Sequence, residues 1–161
     1  MRFFFLILIA SLSLLAESAS GVKWKPAAAW KTSPARPMRA ATYAAPAAAG
    51  DKEAGEVAVF YFGPGQGGGV QANIDRWIGQ FTTKTGAPKT SKSTVAGMAV
   101  TSIDVSGDMG PEKIDKPGFR MLGAIVEAPQ GAVFFKFTGP AKTVSAHEAA
   151  FQAMIKAITK E

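Results

Sequence analysis

The sequence predicts an α+β domain in which a largely antiparallel sheet carries two helices, in the order β-β-α-β-β-β-α. Three observations predict it. Val57–Phe62 (VAVFYF) is apolar at both sets of alternating positions, as a strand covered on both faces must be. Val70, Ile74, Trp77, Ile78 and Phe81 recur at helical spacing, as do Phe151, Met154, Ile155 and Ile158. The remaining connections are short and rich in Gly and Pro, which joins neighbouring strands without a crossover.

The elements follow in order. Arg2 precedes an uncharged apolar run, Phe3–Ala16, and then the small residues Ser18 and Ser20. This is the pattern of an export leader, and the run is too short to span a bilayer as a helix. We expect residues 1–20 to be a signal peptide and residues 21–161 to be one domain, placed in the periplasm or outside the cell. No later stretch has the length and hydropathy of a transmembrane helix. Residues 22–50 are rich in Ala, but Pro26, Pro34, Pro37 and Pro46 break any continuous helix. Short strands are expected at Val22–Lys25 and Met38–Tyr43, anchored by Trp24, Trp30, Met38 and Tyr43, with a loop over Ala44–Gly55.

Glu56–Gly63 is the central strand, and the helix is expected over 70–83. Thr82–Ser93 reads as a polar loop, Thr94–Val105 as a strand bent at Gly97, and Ser106–Gly118 as a loop. Phe119–Ala128 and Ala132–Thr138 are strands joined by Pro129-Gln130-Gly131, a hairpin signal. The last helix has an explicit start signal: Ser145-Ala-His-Glu148 fits a capping box.

Composition excludes several chemistries. The chain has no cysteine and a single histidine. Thiol catalysis, thiolate metal sites and iron–sulfur ligation are therefore absent from its repertoire. His147 is expected on the exposed first turn of the last helix, so a Ser-His-Asp constellation has no natural base. The formal net charge is +6. The leader contains one base and one acid, so its loss leaves that balance unchanged, and a basic surface favours anionic partners. Lys23, Lys25, Lys31, Arg36 and Arg39 interleave with Trp24 and Trp30. A stacking surface for sugars or bases is one reading of that pattern. Buried tryptophans beside solvated bases is the favoured one.

The sharpest motif lies between the central strand and its helix. Gly63, Gly65 and Gly68 satisfy G-x-G-x-x-G. A dinucleotide site also needs a βαβ unit and an acidic residue about 20 positions on. Here Pro64 interrupts the fingerprint and a basic polar loop around Lys89 follows. No Gly-Lys-Ser/Thr completes a P-loop. We therefore expect no nucleotide, no cofactor, no metal and no assignable catalytic residue. Gly63, Pro64, Gly65, Gln66, Gly67, Gly68 and Gly69, with Asn73 and Arg76 on the helix they open, are expected as a hinge-like candidate binding loop.

Five segments carry a resemblance. Pro37-Met-Arg39 with Tyr43, Phe62-Gly-Pro-Gly-Gln-Gly-Gly68, Asn73-Ile-Asp-Arg-Trp77 with Gln80-Phe81, Phe119–Glu127 and Phe134–Pro140 resemble a group of uncharacterised secreted or lipid-anchored bacterial proteins. Many of these carry a lipid-bearing cysteine; this chain has none, so no such anchor is implied. More distantly, the element order resembles the PsbP-like fold, an α/β/α sandwich found in extrinsic photosystem subunits and small envelope proteins. The resemblance implies a binding or assembly role. The expectation is an exported, non-enzymatic envelope protein that binds a partner protein or an anionic envelope component, with no nucleic acid involved. The alternative is a carboxylate-based hydrolase or sugar-active enzyme near the glycine loop, drawing on Asp75, Asp104, Asp108, Glu112, Asp115 and Glu127.

Overall fold

The computed structural model describes residues 17–110 and 116–161. The chain is mixed α+β, and its strand pairings are antiparallel. The strands are β1 (Glu17–Ala19), β2 (Val22–Trp24), β3 (Lys31–Thr32), β4 (Arg39–Ala45), β5 (Gly55–Tyr61), β6 (Phe81–Lys84), β7 (Lys89–Val95), β8 (Met98–Met109), β9 (Lys116–Ala128), β10 (Gly131–Pro140) and β11 (Thr159–Lys160). The helices are α1 (Val70–Gly79) and α2 (Ala141–Lys156). The main sheet runs β3-β4-β5-β10-β9-β8-β6, and β7 also pairs with β8. A small sheet, β1-β2-β11, joins the two ends of the described chain.

Alternation along β10 explains why each face of the main sheet carries a helix. Val133, Phe135 and Phe137 enter one core cluster with Val57, Val59, Leu122 and Ala124. Phe151, Met154 and Ile155 of α2 cover that cluster. Phe134 points the other way, into a second cluster with Ile103, Met121 and Ile125. Ile74 and Trp77 of α1 cover the second cluster. Gly123 lets α1 approach, because a Cβ there would collide with the Trp77 ring and the Ile103 side chain. Of the expected anchors Trp24, Trp30 and Tyr43 are buried, and Trp24 donates its indole N–H to the Tyr43 hydroxyl at 2.9 Å, whereas Met38 is 70% exposed and anchors nothing. Burial raises the Tyr43 pKa.

The element order and several boundaries differ from the sequence reading: five strands precede α1, five lie between the helices and one follows α2, where two, three and none were expected. The expected loop Thr82–Ser93 contains β6 and most of β7. The expected bend at Gly97 is a tight turn between β7 and β8, with Ala96 at φ 48° and Gly97 at φ 76°. Polar side chains on both faces made β7 look like a loop. In the fold it lies at the edge of the sheet, and residues 89–94 are exposed. The expected loop Ser106–Gly118 is largely β8 and β9, with 111–115 outside the described residues. Helix α1 stops at Gly79, short of the expected 83, and Phe81 begins β6 while still packing against Trp77's cluster.

The start of α2 also differs. The helix begins at Ala141, so Ser145 is an interior residue and no capping box forms. The Ser145 hydroxyl donates back to the Ala141 carbonyl at 2.7 Å. The amide of Thr143 and its hydroxyl both donate to one carboxylate oxygen of Asp51, at 3.0 and 2.6 Å. The cap thus comes from the loop between β4 and β5. His147 is half-buried rather than exposed: its Nδ1 accepts from the Trp30 indole at 3.2 Å, and its Nε2 lies 2.9 Å from the Pro46 carbonyl. Those two partners require the neutral ring protonated at Nε2.

Glu17–Ser20, placed with the leader above, are structured. Strand β1 pairs with β2, and the buried Ser20 hydroxyl donates to the Gly131 carbonyl at 2.6 Å. The apolar run of the leader, up to Ala16, lies outside the described residues.

Candidate functional site

The glycine loop is held by side-chain hydrogen bonds from the helix it opens. Its residues form no regular ladder, so its carbonyls need other partners. Asn73, 1% exposed, supplies them. Its side-chain amide donates to the carbonyls of Gly67 at 2.8 Å and Gly69 at 2.9 Å. Its oxygen accepts from the Arg76 guanidinium. A turn closed by Gln66 N–H to Gly63 carbonyl completes the loop. Gly67 has φ 91°, and a Cβ there would meet Phe62 and Phe134 at 2.8 and 2.9 Å. The loop therefore lies directly on the aromatic core.

The structure divides the nominated residues. Gln66, Gly67, Gly68 and Arg76, with Met38, Tyr61 and Phe62, line an open hollow of about 640 Å³. Asn73 is buried beneath the loop and has a structural role. Gly63 carries the turn carbonyl. Pro64, Gly65 and Gly69 are exposed and do not line the hollow. No carboxylate lines it either. The acidic alternative therefore has no pair of acids here. Of its six residues, Asp104 is tied to Arg120, Asp108 accepts from the Gly118 amide, Asp75 accepts from Gln71 and Glu127 is exposed on β9. Glu112 and Asp115 lie outside the described residues.

Sequence reasoning missed Lys136, which joins Arg39 and Arg76 on this side of the sheet; of the three, Arg76 lines the hollow. On the α1 side of the sheet, β4, β5 and β10 present Arg39, Phe60 and Lys136, and α1 adds Arg76. The Arg39 guanidinium sits 5.3 Å above the Phe60 ring, and Phe60 stacks with Phe62 at 6.0 Å. Lys136 donates to the Gln80 side-chain oxygen at 2.5 Å and has no carboxylate partner among the described residues. Burial, with Arg39 and Arg76 nearby, lowers its pKa to about 8. Glu56 opposes that shift, but its two oxygens are engaged by Arg39 at 2.9 Å and Arg36 at 3.4 Å. The signal available in sequence was the Lys in FFKF, a charge in a strand that is otherwise apolar on both faces.

A second polar cluster lies on the opposite face. Arg120 on β9 forms a two-pronged pair with Asp104 on β8, at 3.0 and 2.8 Å. It also reaches Glu148 at 2.9 Å and the Ser145 hydroxyl at 2.9 Å, both on α2. Its side chain is 14% exposed, and Asp104 foremost holds its pKa above the ordinary arginine value. Glu148 therefore serves this pair rather than a cap. Beside it, a groove of about 480 Å³ separates α2 from β7, β8 and β9.

No protein-family model matches the chain, and no curated protein matches it. Among solved structures, the fold is similar to that of a Pseudomonas aeruginosa protein of unknown function, with a TM-score of 0.50 and 14% sequence identity. The match covers 91% of this chain and 96% of that one, and the likeness is one of fold alone.

Proposed function

We propose that this is an exported, non-enzymatic binding protein of PsbP-like architecture that holds an oxyanion-bearing envelope partner beside its glycine loop. The observation that carries the reading is Lys136, whose ammonium is desolvated, crowded by Arg39 and Arg76 and balanced by no carboxylate of its own. Such a group is costly without a ligand. An anion over Lys136 relieves both the desolvation and the repulsion, and Arg39 and Arg76 supply forked donors to the same ligand. Phe60 and Phe62 offer an apolar surface beside the charge. The helix on each face of the sheet supports the architecture. The Phe3–Ala16 run supports export, and β1 is retained if processing falls before Glu17.

The test is co-sedimentation with phosphatidylglycerol vesicles, against phosphatidylcholine vesicles, alongside calorimetric titration with inorganic phosphate. Lys136→Met and Arg76→Gln are each expected to weaken binding of whichever anion is held by at least about tenfold, the cost of one charge-assisted bond. Equal binding by the wild type and Lys136→Met, or no binding to either anionic probe, overturns the proposal.

A further inference from the structure

We propose that the free edge of β7 and the groove beside it dock an extended protein segment that alternates apolar with acidic side chains. The inference rests on a different face from the anion site. Among the described residues β7 pairs only with β8, over seven consecutive residue pairs without a bulge. The turn that joins them has two residues, both at positive φ, which is the tight hairpin geometry. In that geometry the pair flanking the turn, Val95 and Met98, is hydrogen-bonded, and bonded pairs alternate along the ladder. It follows that Thr90, Lys92 and Thr94 turn their backbone N–H and C=O outward, with no strand among the described residues to receive them. Residues 89–94 are exposed and include no proline.

An edge of this length, without a proline or a bulge, is a template for another strand. The other alternate set, Ser91 and Ser93, faces the groove, and those short side chains leave it open. Leu122 and Ala124 form part of its floor, with Phe151 and Ile155 of α2 as its apolar wall. A segment added to β7 points every second side chain over this groove, which selects apolar residues there. Its remaining side chains lie on the face of Lys92. Lys92 forms no ion pair among the described residues, while the rim of the groove carries both signs, Lys89 and Lys156 with Asp104 and Glu148. The uncompensated Lys92 selects acidic side chains and discourages two copies of β7 from pairing with each other.

The probe is a labelled nine-residue peptide alternating valine with glutamate, measured by fluorescence anisotropy on the full exported chain. Its control has the same composition with the valines and glutamates grouped. The alternating peptide is expected to bind at least about tenfold more tightly than the control. Thr94→Pro removes an outward N–H that β8 does not use, and Ser91→Trp fills the groove. Each is expected to weaken binding at least about tenfold with unchanged circular dichroism. Arg76→Gln, in the anion site, should leave peptide affinity unchanged. Hydrogen exchange should slow at Thr90, Lys92 and Thr94 on binding. Equal affinity for the grouped peptide, no binding, wild-type affinity in Ser91→Trp, or protection located away from β7 overturns the proposal. If Thr94→Pro does not fold, Ser91→Trp and the exchange pattern decide it.

Discussion

Asn73 shows how one buried side chain can replace a ladder of hydrogen bonds. The glycine-rich segment cannot pair with a strand, and its positive-φ residues cost backbone entropy. Both amide protons of Asn73 go to loop carbonyls, and its oxygen aligns Arg76 toward the hollow. We predict that Asn73→Ala lowers stability by about 1–3 kcal/mol, since the loop carbonyls lose their donors in a buried setting. Chemical denaturation measures it, and a loss below about 0.5 kcal/mol would return the loop to the status of a slack connection. The motif was legible in the sequence, but this role was not. Asn73 looks like one polar residue among several on α1 until the packing shows that it points inward.

Helix α2 illustrates why local signals can mislead at the level of an element. Ser145 and Glu148 have the spacing of a capping box, yet the helix starts at Ala141. Pro140 at the N-cap has no side-chain donor or acceptor, so nothing local closes the first turn. Asp51 closes it from 92 positions away in the chain, and Glu148 is drawn instead to Arg120. The prediction is therefore a ranking. Asp51→Ala is expected to cost about 1–2 kcal/mol, as loss of a cap does. Ser145→Ala is expected to cost less, because its hydroxyl only bonds back to the preceding turn and accepts one exposed bond from Arg120. Thermal unfolding of the two variants decides it, and the reverse order would restore the capping box. Strand β7 misled for a related reason. An edge strand need not alternate in polarity, because neither of its faces is covered.

At the scale of the whole molecule, Lys136 links stability to pH. Its pKa is about 8 in the fold, against an ordinary value of 10.5. Between those values the unfolded chain binds more protons than the folded one, so this group's contribution to stability rises as pH increases from about 8 to 10.5. Below pH 8 the penalty is constant. Lys136→Met is accordingly expected to stabilise the free protein at pH 7 by about 1–3 kcal/mol, an advantage that shrinks toward pH 10. Anion binding should run the other way, weakening as pH rises through about 8 in the wild type only. Paired denaturation curves at the two pH values test this, and a pH-independent difference between the chains would sink it. Two-sided apolar strands, helical stripes and hairpin glycines are local patterns. The sequence by itself therefore determined the α+β class, the two helices and the place of the glycine loop. Which strand lies at the edge, what caps α2 and which charges converge on Lys136 depend on residues far apart in the chain. Only the tertiary structure decided these, because burial and charge proximity exist only once the sheet is assembled.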